Sequence, residues 1–194
     1  MPFLSDGILP KVRFDMTEAR KFVPVRIAIL TISDTRTLET DVSGQTLADR
    51  VAGTGHLLSA RKVVKDDVRA IRHVIRDWTS RADVDVIITT GGTGLTGHDV
   101  TVEAMRPLFE KEIDGFGTLF HMISFPKIGT STIQSRACAG VMKGRYIFCL
   151  PGSPGACKDG WDQILQPQLD YTHKPCNFVE IMPRLQEHEM RSKS

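Results

Sequence analysis

Cysteine is scarce in this 194-residue chain, and none of its four copies (Cys138, Cys149, Cys157 and Cys176) stands in C-x-x-C spacing. Structural zinc sites draw on that spacing, so none is expected. Two of the four sit in apolar surroundings, as reduced cysteines often do. Long hydrophobic runs are also missing. No stretch approaches the roughly 20 apolar residues that span a bilayer, and the N-terminus shows no signal-peptide pattern. No membrane partner is expected, and the expected address is cytoplasmic. An excess of one charge is missing too, since 25 Lys and Arg face 23 Asp and Glu. Aromatic residues make up only 7%, with no basic stripe interleaved among them, so nucleic acid is not an expected partner.

What is present is a ligand loop. Val84, Val86, Ile87 and Ile88 form a short β-branched run that leads directly into Thr89-Thr90-Gly91-Gly92-Thr93-Gly94, and helical patterning resumes near Thr101. Three glycines in four residues let the backbone turn sharply and bring bare N–H groups against a ligand. Strand, glycine loop and helix together build an anion site at the carboxyl edge of a sheet. The loop does not end in Gly-Lys-Ser/Thr, since His98-Asp99 follows Gly97; a Walker loop is excluded, and on this reading the Rossmann glycine spacing is absent as well, so a dinucleotide is not expected. A carboxylate at Asp99 beside a phosphate site calls for a bridging cation such as Mg²⁺. The same residue equally suits an N-cap for the helix that follows.

Strands and helices alternate along the rest. Strands are expected at 25–32 and 57–64, and helices at about 43–52 and 68–79, the latter from Val68, Ile71, Val74, Ile75 and Trp78. A helix over 102–109 is kinked or ended by Pro107, and an apolar helix covers 113–125. The segments 137–142 and 146–150 flank Lys143-Gly144-Arg145 as a hairpin, with a last helix at about 156–165. This order predicts an α/β fold: a three-layer α/β/α domain with a mostly parallel sheet and a small hairpin. The domain spans 23–183, after an N-terminal arm at 1–22 and before a polar tail at 184–194. Four polar loops then fall at strand ends: Ser33-Asp34, Asp66-Asp67, 91–99 and 151–155. One such loop is ordinary turn chemistry, but four point to a shared polar site.

The segments TISDT (31–35), TTGGTGLTGHDVTVEA (89–104), IGTSTIQSRACAG (128–140) and LPGSPGA (150–156), in that order, resemble the MoaB/MogA family of molybdenum cofactor biosynthesis. The likeness covers about 25–171, and the forms IGTSTIQSRA and TGGTGLTG are closer to its MoaB branch. The resemblance implies a molybdopterin-binding fold that attaches the adenylyl group of ATP to the pterin's terminal phosphate, with Mg²⁺ required. It implies that Gly91, Gly92, Thr93 and Gly94 contact nucleotide or pterin. Ser33, Ser131 and Ser153 would help bind them, as would Pro151 and Gly152 of the 150–156 motif. Asp99 would hold the metal or orient the reacting phosphates, and Asp66 would be the second catalytic carboxylate. It also implies a homo-oligomer, trimer or hexamer, with helix 113–125 and the arm as candidate contacts. The alternative in the same pathway is a non-catalytic molybdopterin-binding oligomer that acts as carrier or scaffold.

Other residues carry plainer readings. Asp66 and Asp67 suit equally the cap of the 68–79 helix. His98 stands where many relatives have arginine, which argues against a charge clamp. His121 reads as a packed or interface histidine. Arg136 suits either a phosphate contact or a structural ion pair. Cys157 heads a helix, a position that can lower a thiol pKa, yet no partnering base accompanies it. The Phe-rich stretch 116–125 reads as core or subunit interface.

Overall fold

In the computed structural model, which describes residues 20–188, the first apolar run forms β1 (Arg26–Ile32), with every residue but the first buried. Residues alternate cleanly between the two faces. Ile27 and Ile29 point into one core layer, whereas Ala28, Leu30 and Ile32 point into the other. The same alternation holds in β3 (Val86–Thr90) and β6 (Arg145–Leu150). Strands buried on both faces need helices on both sides. On the first side lie α1 (Val42–Gly53), α4 (Asp114–Ile128) and α5 (Pro154–Gly160). On the second lie α2 (Val68–Thr79) and α3 (Thr101–Met105). The chain is a three-layer α/β/α domain.

The sheet has six strands in the order β2-β1-β3-β6-β5-β4, with β2 at Leu57–Val64, β4 at Lys111–Glu112 and β5 at Cys138–Met142. Strands β2, β1, β3 and β6 run parallel, and β5 and β4 complete the sheet antiparallel. The chain leaves β1 for one layer and β3 for the other, so a topological switch point lies between their carboxyl ends. Open α/β sheets form their ligand crevice at such a point.

Local chemistry explains the boundaries. Asp67 caps α2 by accepting from the Ala70 amide at 2.7 Å. Pro107 lacks an amide hydrogen to continue α3, and the chain tightens there into a 3-10 turn, Arg106–Leu108. The two-residue strand β4 has too few residues to show a period and is unexpected from sequence. Helix α5 starts at Pro154, with Ser153 as its cap, and loosens into a π turn over Trp161–Leu165; a further short helix, Phe178–Ile181, follows it, which the sequence pattern does not suggest. Most of the expected arm, residues 1–19, lies outside the described residues, as do 189–194 of the tail. Among the described residues no helix is long and apolar enough to cross a membrane.

His56 ties the start of β1 to the helical layer. Its buried ring lies 5.0 Å from Phe22 and 6.0 Å from Trp161, and its Nδ1 accepts from the Val25 amide at 3.2 Å. That bond requires an unprotonated Nδ1, and burial holds the imidazole below its ordinary 6.5 against an opposing pull from Asp170. A histidine whose pKa is depressed by folding leaves stability intact above the unfolded value and removes it as pH falls below that value. The urea midpoint is therefore expected to drop between pH 7 and 5. In His56→Gln, whose amide oxygen can accept without titrating, the same scan should be flatter. Equal slopes would show that His56 does not set the dependence.

Candidate functional site

At the switch point a cleft of about 310 Å³ opens among all four expected loops. Ser33, Asp66, Gly91, Gly92, Asp99 and Gly152 line it. The glycines are there because the backbone strands nearly touch. Gly91 has φ +102°, and a side chain on it would meet the Ile32 carbonyl oxygen at 2.2 Å. Its amide bonds to the Leu150 carbonyl, and its Cα lies under the position a Gly152 Cβ would take. Gly92 has φ +63°, and a Cβ there would meet the Asp66 carboxylate at 2.7 Å. The loop is held from below by hydroxyls: Thr101 donates to the Gly91 carbonyl at 2.8 Å, and Thr90 to the Pro151 carbonyl at 3.0 Å. Ser43, at the start of α1, donates to the Gly152 carbonyl at 2.8 Å.

The carboxylates are set apart by their surroundings. Asp67 takes the capping role on α2, which leaves Asp66 to face the cleft. Burial pushes the Asp66 carboxyl above its ordinary value, and the negative charges of Asp34 and Asp99 push it further. Asp99 moves the other way. Burial opposes its ionised form, but bonds from the Thr96 hydroxyl and amide and from the Gly94 amide, with the Arg136 charge, outweigh it. Asp99 is not the cap of α3: that position belongs to Val100, which makes no side-chain bond. Its Oδ2 closes a turn on Thr96 instead, at 2.9 Å from the amide and 2.6 Å from the hydroxyl. Two neighbouring carboxyls with opposed shifts are an arrangement suited to chemistry on charged groups. Among the described residues, no three His, Cys, Asp or Glu side chains converge to hold a metal ion.

Arg136 is a structural clamp. Its Nε donates to the Thr93 and Gly94 carbonyls at 3.1 and 2.8 Å, a further nitrogen reaches the Asp99 carbonyl, and the head pairs with Glu103. Thr93 and Gly94 thus shape the loop from behind the cleft. Ser153 faces its own helix, where its hydroxyl accepts from the Ala156 amide. Ser131 is exposed on the 3-10 turn Gly129–Gln134, outside the cleft lining. Cys157 corrects the helix-start expectation: it is buried against Thr90, and desolvation raises its pKa to about 11. His121 meets Thr132 through Nδ1 at 3.1 Å. His98 is exposed, 3.7 Å from Asp34.

Gly92, Gly94 and Gly97 do stand in G-x-G-x-x-G spacing, which offers a dinucleotide fingerprint by pattern alone. The geometry differs from that fingerprint, because Gly97 sits in an exposed turn with nothing near its Cβ position instead of packing a helix on the sheet. Lining residues that no sequence motif points to include Arg36, Asp41, Val42 and Ser43. Asp41 is the N-cap of α1. Its place just ahead of the helical pattern is the signal that could have found it.

Residues 28–171 match the family described as a probable molybdopterin binding domain. The chain is 49% identical over 158 residues to molybdenum cofactor biosynthesis protein B of Escherichia coli K12, covering 81% of this chain and 93% of that one. A relative of the same name from Bacillus anthracis is 45% identical over 159 residues, covering 80% and 94%. Among solved structures, a molybdenum cofactor biosynthesis protein B aligns with a TM-score of 0.78 at 40% identity, covering 87% of this chain and 99% of that one. The tungsten cofactor synthesizing protein MoaB from Pyrococcus furiosus aligns with a TM-score of 0.66 at 32% identity, covering 74% and 91%.

Proposed function

The chain belongs to the MoaB family of molybdenum cofactor biosynthesis proteins and carries its molybdopterin-binding domain, and from that premise we propose that it adenylylates molybdopterin with Mg-ATP in the cytoplasm. The carrying observation is the pair Asp66 and Asp99 facing one cleft beside the glycine loop. In the reaction, an oxygen of the pterin's terminal phosphate attacks the α-phosphorus of ATP. A new P–O–P bond forms, the α–β bond breaks and pyrophosphate leaves. No covalent nucleophile is required, so positioning and charge neutralisation carry the catalysis.

Amides of the glycine loop hold phosphate oxygens, and Arg36 adds the cleft's one arginine charge among its lining residues. Asp99, beside Asp66, would hold Mg²⁺, whose charge would offset the negative charge that gathers when two phosphates meet. Few protein carboxylates with the remainder from phosphates is the ordinary way this ion is bound, which fits a cleft without a three-ligand cage. Burial first, and then the charges of Asp34 and Asp99, raise Asp66, and a bound cation would relieve the second of these. Exposed Leu119, Met122 and Phe125 on α4, with Ile128 and Ile133, offer an apolar surface for assembly as a trimer or hexamer.

The test gives purified protein molybdopterin, ATP and Mg²⁺ and follows adenylyl-molybdopterin by mass. Wild type should make product, and Asp99→Ala should lose about a hundredfold in turnover while retaining pterin. Pterin binding without product in wild type would favour the carrier reading, and equal loss of binding and turnover in the variant would remove the metal role of Asp99.

A further inference from the structure

Away from the cleft, Cys138 and Cys149 stand directly opposite each other on the β5–β6 hairpin. Opposed positions in an antiparallel pair place Cβ atoms about 4.5–5.5 Å apart, close to the roughly 3.5–4.5 Å that a disulfide spans. Both side chains enter the same core layer, which also holds Met142 and Ile147. All four cysteines of the chain are free thiols.

The pair is unsymmetrical in a useful way. Cys138 forms part of the wall of a second cavity, of about 300 Å³, together with Arg106 and Arg136. A peroxide molecule is small enough to enter such a space. The neighbouring Cys149 thiol lowers the Cys138 pKa, with the charges of Arg106 and Arg136 assisting and burial and the Glu112 charge opposing. Cys149 lies behind it, wholly buried. On the far side Thr89 is in register with Cys149. Its hydroxyl is buried and finds no well-formed hydrogen bond among the described residues; the neighbouring Cys138 and burial push the Cys149 thiol well up, and Thr89 alone opposes them. A buried donor without an acceptor is rare. A developing thiolate at Cys149 would satisfy this one.

We propose that Cys138 and Cys149 form a reversible oxidation site for peroxides, with Cys138 as the attacking and Cys149 as the resolving cysteine. The Cys138 thiolate attacks one peroxide oxygen, the O–O bond breaks, and water leaves after protonation; sulfur is oxidised by two electrons to the sulfenic acid. The Cys149 sulfur then attacks the Cys138 sulfur, the S–O bond breaks, and a second water carries away the Cys149 proton. Two thiols and one hydrogen peroxide become one disulfide and two waters. An excess of small-molecule thiol reverses the bond by exchange. Cys138 follows Arg136 by two residues and Cys149 precedes Pro151 by two, so the bond forms between two anchors of the glycine loop.

The test treats folded wild-type protein with graded hydrogen peroxide, quenches it, and maps thiols by alkylation and peptide mass with and without reduction. Expected is the loss of two of the four thiols as a single Cys138–Cys149 link, restored by dithiothreitol. In Cys149→Ala, oxidation should stop at a sulfenic acid on Cys138 that a 1,3-dione traps. The proposal is overturned if the exposed Cys176 oxidises while the pair stays reduced. It is equally overturned if links join other cysteines, or if Cys138 passes to sulfinic acid in wild type without cross-linking. Should the variant not fold, the wild-type map alone decides.

Discussion

Gly91→Ala is expected to lower folding stability by about 2–6 kcal/mol and to remove ligand binding with it. Two independent costs add at this position. A φ of +102° is backbone that an L side chain rarely adopts, which costs about 1–3 kcal/mol. The new methyl would also sit 2.2 Å from the Ile32 carbonyl oxygen. That obstacle is backbone in the central strand β1, so it cannot swing aside as a side-chain end would, and such overpacking costs about 1–3 kcal/mol more. Relief requires β1 and β3 to separate at their carboxyl ends, where the cleft is formed. Gly97→Ala is the control: nothing lies within 4 Å of its Cβ position, so its effect should stay within about 0.5 kcal/mol. Urea unfolding of both variants checks this. Similar midpoints for the two would mean that the close approach of Gly91 to Ile32 is not a constraint of the fold.

The contrast between these glycines shows how much of the molecule is legible in its sequence. Helix α2 carries its full length in the hydrophobic pattern, because it packs a face whose period matches its backbone, whereas β2 meets its expected span with none of its residues buried. The four polar loops point to one cleft for a topological reason: parallel strands deliver their carboxyl ends to one edge. What the pattern does not carry is the purpose of a polar atom. Asp99 reads as a cap and instead accepts from Thr96, two turns of chain that differ only in which amide lies nearer. Cys157 occupies a helix start, yet it packs under Thr90 and Pro151, and desolvation overrides the helix. Strand β4, two residues long, exists because β5 offers it an edge. Each of these depends on a partner distant in sequence.

Asp41 is the extreme case, and Asp41→Ala is expected to destabilise the fold by about 3–5 kcal/mol. In the sequence it is one acidic residue at the end of a polar loop. In the fold its carboxylate is almost wholly buried and fully used: Oδ1 accepts from the Gly44 amide at 2.8 Å, and Oδ2 from the Thr31 hydroxyl at 2.7 Å and the Arg61 guanidinium at 3.0 Å. Loss of the cap alone costs about 1 kcal/mol. The larger part comes from Arg61, whose charge, on a side chain only 15% exposed, would keep no carboxylate and whose Nε already lacks a partner among the described residues. Breaking a buried pair from one side costs about 3–5 kcal/mol, whereas replacing both partners by apolar groups is often neutral. The double variant Asp41→Ala/Arg61→Leu should therefore recover much of the loss, a non-additivity that urea midpoints of the three variants measure directly. A ligand effect should accompany it. Asp41 fixes the first turn of α1, and Ser43 in that turn holds the Gly152 carbonyl at the cleft wall. The double variant, restored in stability but without the cap, should still bind ligand more weakly than wild type. Full recovery of both would reduce Asp41 to a charge partner with no part in shaping the cleft.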